Sequence, residues 1–487
     1  MTVEAPRLTG TTRYVEWHQR SEDGSMVKSP IHGRVTRYIA TPYTGQSGPY
    51  KPIPVTMFAP LSCHSTVQHT VRTIESFLAK GEVLHGDGVT DDTVVMNACL
   101  SRAVRMAEKL NSELVVSLTR IYLCDDTLML AMWRAAPNSP GKVVPIVPMV
   151  GLQITGPGRT VRTYNDWSRR MTAGLPVESC WQAVLARRLK FQAFGITGFR
   201  QNGARTKNKE VEGERGIFLI SCQDVEVTEM DITNTMGDHV SFGSNPYAVD
   251  AATKRNKNVR LYGGHWKNSG RLMLEPLCSD LDVYGILWEI CAASVMDIEV
   301  TGNPWQPQDP ENGLHRIRVS HVIHHDRDGN HGTFMHIPAI GSGPAGSLGN
   351  SPNTYDLEVA YCVRYGGPIG FVAGGDSAHN TAEHDDWTMA GFSWHGHVWS
   401  GSASGLGSGV DLSYCRGAEV YDNHGPLTHG SGFSTPSVGT QIKLNNVWKD
   451  GDRNTPGTKL FTDADYIRAN PGVFVNPRQY DQPVDKS

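Results

Sequence analysis

From Gly151 onward, short runs of aliphatic and β-branched residues alternate with polar ones, and each run stops at Gly, Asn, Asp or Ser. One group of runs covers 216–222, 224–228, 230–235 and 237–243. The next covers 258–263, 265–270 and 271–275, and a third covers 281–285, 286–290 and 295–300. Further groups fall at 314–322 with 333–337, at 357–363 with 369–372, and at 410–414 with 418–421. Period-two alternation over four to seven residues predicts half-buried strands. Three such strands per unit, recurring every 20 to 30 residues or so, predict an all-β solenoid in which each strand pairs with its equivalent one coil on, about 4.8 Å away. A propeller would need Asn-Gly or Asp-Gly hairpins between neighbouring strands, and these are scarce. At about 25 residues per coil, residues 150–450 give about twelve coils and a stack about 55–60 Å tall.

The N-terminal part reads differently. Residues 1–62 are rich in Pro, Gly, Tyr and Thr without a period, and 66–79 read as a short amphipathic helix. A Gly- and Asp-rich stretch, 85–93, precedes a second helical pattern over 94–110, with Val95, Cys99, Met106 and Leu110 on one face. Thr90, Asp91 and Asp92 suit the first turn of that helix, where free N–H groups and the dipole favour such side chains. Beyond Lys449 the period fades. The expected organisation is an N-terminal attachment segment at 1–80, the start of the solenoid with its capping helix at 81–145, the solenoid proper at 146–449 and a tail at 450–487.

Composition narrows the function. The 45 Lys+Arg against 49 Asp+Glu leave a formal charge of −4, which argues against a polybasic nucleic-acid binder. Glycine at 51 of 487 residues supplies the turns of a multi-strand chain. No apolar run of about 18 residues is present, so no membrane insertion is expected. Residues 1–10 carry Glu4 and Arg7 and no apolar core of a signal peptide. Nine cysteines without CxxC pairs read as reduced thiols made in a reducing cytoplasm, with Cys222, Cys278, Cys291 and Cys362 as buried small hydrophobes.

The string Gly86-Asp-Gly-Val-Thr-Asp-Asp-Thr93 before a helix, followed by Leu114-Val-Val-Ser117, Ile121-Tyr-Leu123, Leu128-Met-Leu130 and Gly151-Leu-Gln-Ile-Thr-Gly-Pro-Gly158, resembles the opening segment of the pectate-lyase-like superfamily. The resemblance covers about residues 80–445 and implies a right-handed parallel β-helix. That superfamily contains polysaccharide lyases, polygalacturonase-like hydrolases, epimerases, and bacteriophage tailspikes and minor tail proteins. Glycines for a tight turn and acids capping a helix explain the string without a catalytic role.

Chemistry is expected on the outer face of the coils. Outward side chains form columns about 4.8 Å apart from coil to coil, and i, i+2 neighbours on one strand lie about 6.5–7 Å apart. With Ile298 inward, Asp297 and Glu299 point out; Glu275 falls beside Glu299 one coil earlier, and Asp238-His239 lies one coil before that. Asp238, His239, Arg271, Glu275, Asp297 and Glu299 are thus the candidate catalytic residues. Asp297/Glu299 fits the carboxyl spacing of an inverting glycosidase and Glu275/Glu299 that of a retaining one; outward acids are also ordinary on a solvated face. A lyase would use Arg271 or His239 as base, with acids holding Ca²⁺; otherwise no cofactor is expected. The coil at 237–243 carries Gly-Asp-His where polygalacturonase-like hydrolases have paired Asp, and no Gly-His-Gly follows, which argues against pectin hydrolysis.

Six histidines (315, 321, 324, 325, 331 and 336) cluster without regular ligand spacing, and His324 and His325 point to opposite faces of a strand. Asp376 to Trp387 reads as a polar loop. Trp305, Trp387, Trp394 and Trp399 fall in or beside loops, where they either stack on sugar rings or anchor the loops.

The resemblance implies a tailspike-like or minor tail protein in the virion tail. It would bind a bacterial surface polysaccharide, with depolymerisation of that polysaccharide left open, join other tail proteins through its N-terminal segment, and assemble as a homotrimer. The alternatives are a free bacterial lyase, hydrolase or epimerase, and a non-enzymatic structural tail protein.

Overall fold

The computed structural model describes residues 69–110, 113–135, 143–147, 149–158, 160–167, 173, 179–199, 213–243, 256–292, 295–298, 314–325, 334–337, 354–365, 371–373 and 389–400. It also describes short strands at 7–8, 15–16, 18–20, 26–28, 410–411, 415–416, 419–421, 424–427, 447–450 and 460–462. Residues 1–69 and 70–487 are separate compact units. In the first, Arg7–Leu8 pairs antiparallel with Val15–Glu16, and His18–Arg20 with Met26–Lys28.

The second unit is a right-handed parallel β-helix, the hand that connections between parallel strands adopt. Its three sheets have 12, 13 and 9 strands. A coil visits them in turn: Gln223–Thr228, Asp231–Thr233, Val240–Gly243, then Asn256–Tyr262, His265–Ser269, Leu274–Glu275, then Cys278–Tyr284, Leu287–Cys291, Met296–Asp297. In these sheets the described strands pair in parallel with their equivalents one coil away; Val447–Asp450 with Leu460–Thr462 ends the second sheet antiparallel, and Met132–Ala135 forms a separate antiparallel pair with Val143–Val147. Most coils are longer than the expected 25 residues: the one from Val259 to Leu281 takes 22, but those from Leu281 to Ile317 and from Ile317 to Leu357 take 36 and 40. Among the described residues the first sheet has nine rungs from Met149–Thr155 onward and the second has ten from Arg162–Asn165 to Val447–Asp450, against the twelve or so expected.

Alternation sorts the side chains into columns. In the first sheet Leu152, Leu189, Val225, Val259, Leu281, Ile317 and Leu357 are in register and buried. In the second, Ile196, Ile232, Trp266 and Trp288 follow one another inward, the two indoles 6.0 Å apart. The seven described cysteines that carry free thiols are all buried, and burial pushes the Cys222 and Cys362 thiols up to about 12.

The corner between first and second sheets is a single left-handed residue at successive levels: Ala193, Glu229, Gly263, Gly285, His321, Tyr361 and Gly396, with φ between 54° and 69°. Glycine adopts this conformation without strain; elsewhere the packed coils hold side-chain-bearing residues in it. At Gly396 a Cβ would meet the Tyr361 ring at 2.4 Å, so the tyrosine of one coil lies where the next has none.

Outside the first sheet, one column alternates in charge: Lys190, Glu226, Arg260, Asp282, Arg318, Glu358. Lys190 Nζ lies 3.2 Å from Glu226, and Arg318 Nε 3.4 Å from Glu358. Each such surface pair is worth about 0–1 kcal/mol.

The N-terminal end brings one correction. The expected helix at 66–79 is a strand, His69–Thr73, followed by a 3₁₀ turn, Ile74–Phe77. Thr70, Val71 and Thr73 are β-branched, and pairing with Glu113–Ser117 supplies backbone partners that outweigh the helical spacing. The second helix is present as Thr93–Lys109, burying Met96, Cys99, Leu100, Ala103, Val104 and Ala107. The acids before it form the turn. Asp92 accepts the backbone N–H groups of His85 (2.7 Å) and Gly86 (2.9 Å). Asp87 accepts those of Val89 and Thr90, which, with the Thr90 hydroxyl, hold its carboxyl down at about 2. No helix among the described residues is long and apolar enough to cross a membrane.

Leu281→Ala removes one rung of a packed inward column whose neighbours are fixed by backbone pairing. It is expected to cost about 2–5 kcal/mol, measured as a lower denaturation midpoint at unchanged slope.

Candidate functional site

The third sheet presents an outward column of Gln182, Phe218, Ser241 and Glu275. Leu274 pairs with Met296, which puts Asp297 next in that column, and His336 follows Asp297. Glu275 is therefore in register with Asp297, because the buried apolar residues Leu274 and Met296 set the register. Glu299 lies outside the described residues. Glu275 and Asp297 remain only 8% and 9% exposed.

Asp238 is fully buried at the foot of this column. The backbone N–H of Leu272 donates to its Oδ1 at 3.2 Å, Arg271 Nη1 lies 3.2 Å from its Oδ2, and Arg215 Nε 3.9 Å. Arg271 Nη1 also stands 3.9 Å from Glu275 Oε2, and the Ser241 hydroxyl donates to the same carboxylate oxygen. Burial, reinforced by the Glu275 charge, holds the Asp238 carboxyl well above the usual carboxylate range despite the two arginines. With guanidinium groups as its counter-charges, Asp238 is not set up as a ligand for a dication.

His239 is not on this face. It sits in the bend before Val240, fully buried, with Nδ1 2.8 Å from the Thr235 hydroxyl and its ring edge-on to Trp266 in the interior. Its neighbour Asp238 turns the other way, toward the arginines. Of the six expected catalytic residues, the structure brings together Asp238, Arg271, Glu275 and Asp297.

Three contributors were not picked out from sequence. Ser241 follows from aligning Val240 with Leu274. Arg215 precedes the strand Ile217–Ile220, and its guanidinium lies 4.4 Å over the Phe218 ring. Next to it, Glu214 is fully buried and accepts the backbone N–H groups of Phe199 (2.9 Å) and Met236 (2.5 Å), tying three segments beside Arg215. Burial pushes its carboxyl up to about 7, outweighing those hydrogen bonds.

The tryptophan expectation needs one correction. Trp394 is not a loop residue: it continues the inward column after Val359, is fully buried, and packs against Phe334 and His397. Trp399 stands on the strand Val398–Ser400 in register with Arg364, its side chain outside the described set; Trp305, Trp387 and the loop at 376–387 also lie outside it. In the histidine cluster, His324 points inward and is buried while His325 points outward, as alternation requires. Burial holds His324 well below the usual imidazole range. His331 and the His336 side chain are outside the described residues, and among those described no three His, Cys, Asp or Glu are placed to hold a metal ion.

No family model and no curated protein matches this chain. Similar solved structures include Geobacillus virus E2 ORF18, at 11% identity over 80% of this chain and 63% of the other, TM-score 0.40. The tailspike protein of E. coli bacteriophage HK620, in complex with a hexasaccharide, is similar at 10% identity over 76% and 66%, TM-score 0.44. A family 28 exopolygalacturonase of Yersinia enterocolitica is similar at 11% identity over 90% and 81%, TM-score 0.42. Phage tailspikes and pectate-lyase-like β-helix proteins are thus the kind of structure this chain is similar to. The chain spans less than two thirds of the length of the Geobacillus virus protein.

Glu214 yields a pH prediction. Its folded carboxyl, at about 7, is raised above its ordinary 4.5, so the folded state holds the proton more tightly. Its stabilising contribution is complete below pH 4.5 and is lost as pH rises to about 7, a change on the order of 3 kcal/mol. Denaturation midpoints measured across that window should fall for the wild type and fall less for Glu214→Gln, the remaining slope coming from groups such as Asp238 whose carboxyl is also raised.

Proposed function

We propose that the chain is a tailspike-like protein that binds a bacterial surface polysaccharide on the outer face of the third sheet and hydrolyses it there. The supporting observation is the in-register pair Glu275 and Asp297. Residues at equivalent places on neighbouring strands are about 4.8 Å apart, close to the carboxyl separation of about 5–5.5 Å used by retaining glycosidases. Glu275, oriented by the Ser241 hydroxyl and Arg271, attacks the anomeric carbon while Asp297 donates a proton to the departing glycosidic oxygen. Asp297 then takes a proton from the water that releases the sugar from Glu275. Arg271 and Arg215 act as positioning residues through Asp238. The virion-tail setting, attachment to other tail proteins through residues 1–80 and a homotrimeric state come with the resemblance of the opening segment.

A second reading, glycan binding without cleavage, is favoured by the low exposure of both carboxylates. Purified protein incubated with host capsular or cell-wall glycan separates the two. New reducing ends are expected from the wild type, with a loss of about 10²-fold or more in Glu275→Gln and in Asp297→Asn. Glycan retained on the protein without new reducing ends supports the second reading, and full activity in both variants refutes the site.

A further inference from the structure

The outer face of the second sheet changes character along the stack. One outward column carries Arg162, Asp231 and His265 on earlier coils and then Leu287, Ile323, Val363 and Val398 on four consecutive ones. The earlier part is polar: Arg162 Nη2 forms an ion pair with Asp231 at 3.0 Å, and His265 Nε2 lies 3.3 Å from Glu289. The later part is aliphatic. Beside it run rings: Tyr284, His321 and Tyr361 at 4.9 and 5.3 Å along the corner, and His325 stacked on Tyr365 at 4.7 Å and 27°. Ile323, Tyr361, Tyr365 and Val398 are 39–51% exposed, on neighbouring coils of one face. A contiguous apolar face of this kind marks an interaction surface, whereas single exposed apolar residues do not.

Two features point to protein as the occupant and not to sugar. A sugar-binding platform lays an aromatic face out toward solvent, and here one face of His325 and one of Tyr365 are taken up by each other. The aliphatic column also offers sugar hydroxyls no side-chain hydrogen-bonding group. A second copy of the chain fits the charge pattern. Copies related by rotation about an axis parallel to the stack set each coil against its own equivalent. A charged column, such as the alternating one on the first sheet, would then meet its own charges, while an uncharged column meets itself without repulsion.

We infer that the Leu287–Ile323–Val363–Val398 column, with Tyr361 and Tyr365 beside it, is the contact face for a second copy of this chain, packed side by side with equivalent coils at equal height. The inference rests on the self-assembly part of the preceding proposal and is independent of its catalytic part.

Light scattering on the size-separated full chain tests it. The wild type is expected at a multiple of the chain mass, and Ile323→Asp is expected to shift to a single chain mass while keeping its circular dichroism. Tyr365→Asp, on the neighbouring column, carries the test if Ile323→Asp does not fold. A wild type at single-chain mass overturns both the inference and the self-assembly reading. Variants that stay assembled overturn the contact face and leave self-assembly standing. Loss of glycan retention from a variant that stays assembled reassigns the face to sugar.

Discussion

The structure depends on one constraint: the backbone of each inner strand of the solenoid sheets is satisfied by the strands one coil before and after it. Because pairing is parallel and in register, identical positions fall above one another whatever the length of the intervening loops. That converts a one-dimensional alternation into columns. Leucines, valines and isoleucines stack inward on the first sheet, indoles on the second, and polar side chains accumulate outside. The left-handed corner keeps this alignment by turning the chain with one residue at the same place in successive coils.

The candidate site is a product of the same rule. Ser241, Glu275 and Asp297 come from three coils and are neighbours because Val240, Leu274 and Met296 are. Its electrostatics come from depth. Asp238 sits below the column with two arginines and a backbone N–H against it, and burial still governs its proton affinity. Glu214 repeats that arrangement one step away, with backbone donors in place of arginines. The arginine at 215 thus stands between a buried carboxyl on its own chain neighbour and a buried carboxyl one coil on.

The fold was legible because alternation and turn residues report it directly: the units read at 216–243, 258–275 and 281–300 correspond to observed strands. The site was legible only in part. Asp238, Arg271, Glu275 and Asp297 converge, but the partner of Glu275 depends on a register that two residues of irregular strand suffice to shift. His239 looked outward beside Asp238, yet the bend before Val240 turns the two side chains to opposite sides. Trp394 read as lying in or beside a loop, whereas its pairing with Val359 assigns it to the interior. At 66–79 the helical spacing is genuine, and only the distant strand Glu113–Ser117 decides against it.

The alternating column on the first sheet bears on how such a chain can change in length. Lys190, Glu226, Arg260, Asp282, Arg318 and Glu358 repeat with a period of two coils, although the backbone pairing repeats with every single coil. Loss or duplication of one coil would bring two like charges into adjacent rungs, whereas loss or duplication of two would leave the sequence of signs intact. The stack therefore has a parity: its unit of folding is one coil, but its unit of inheritance without electrostatic penalty is a pair.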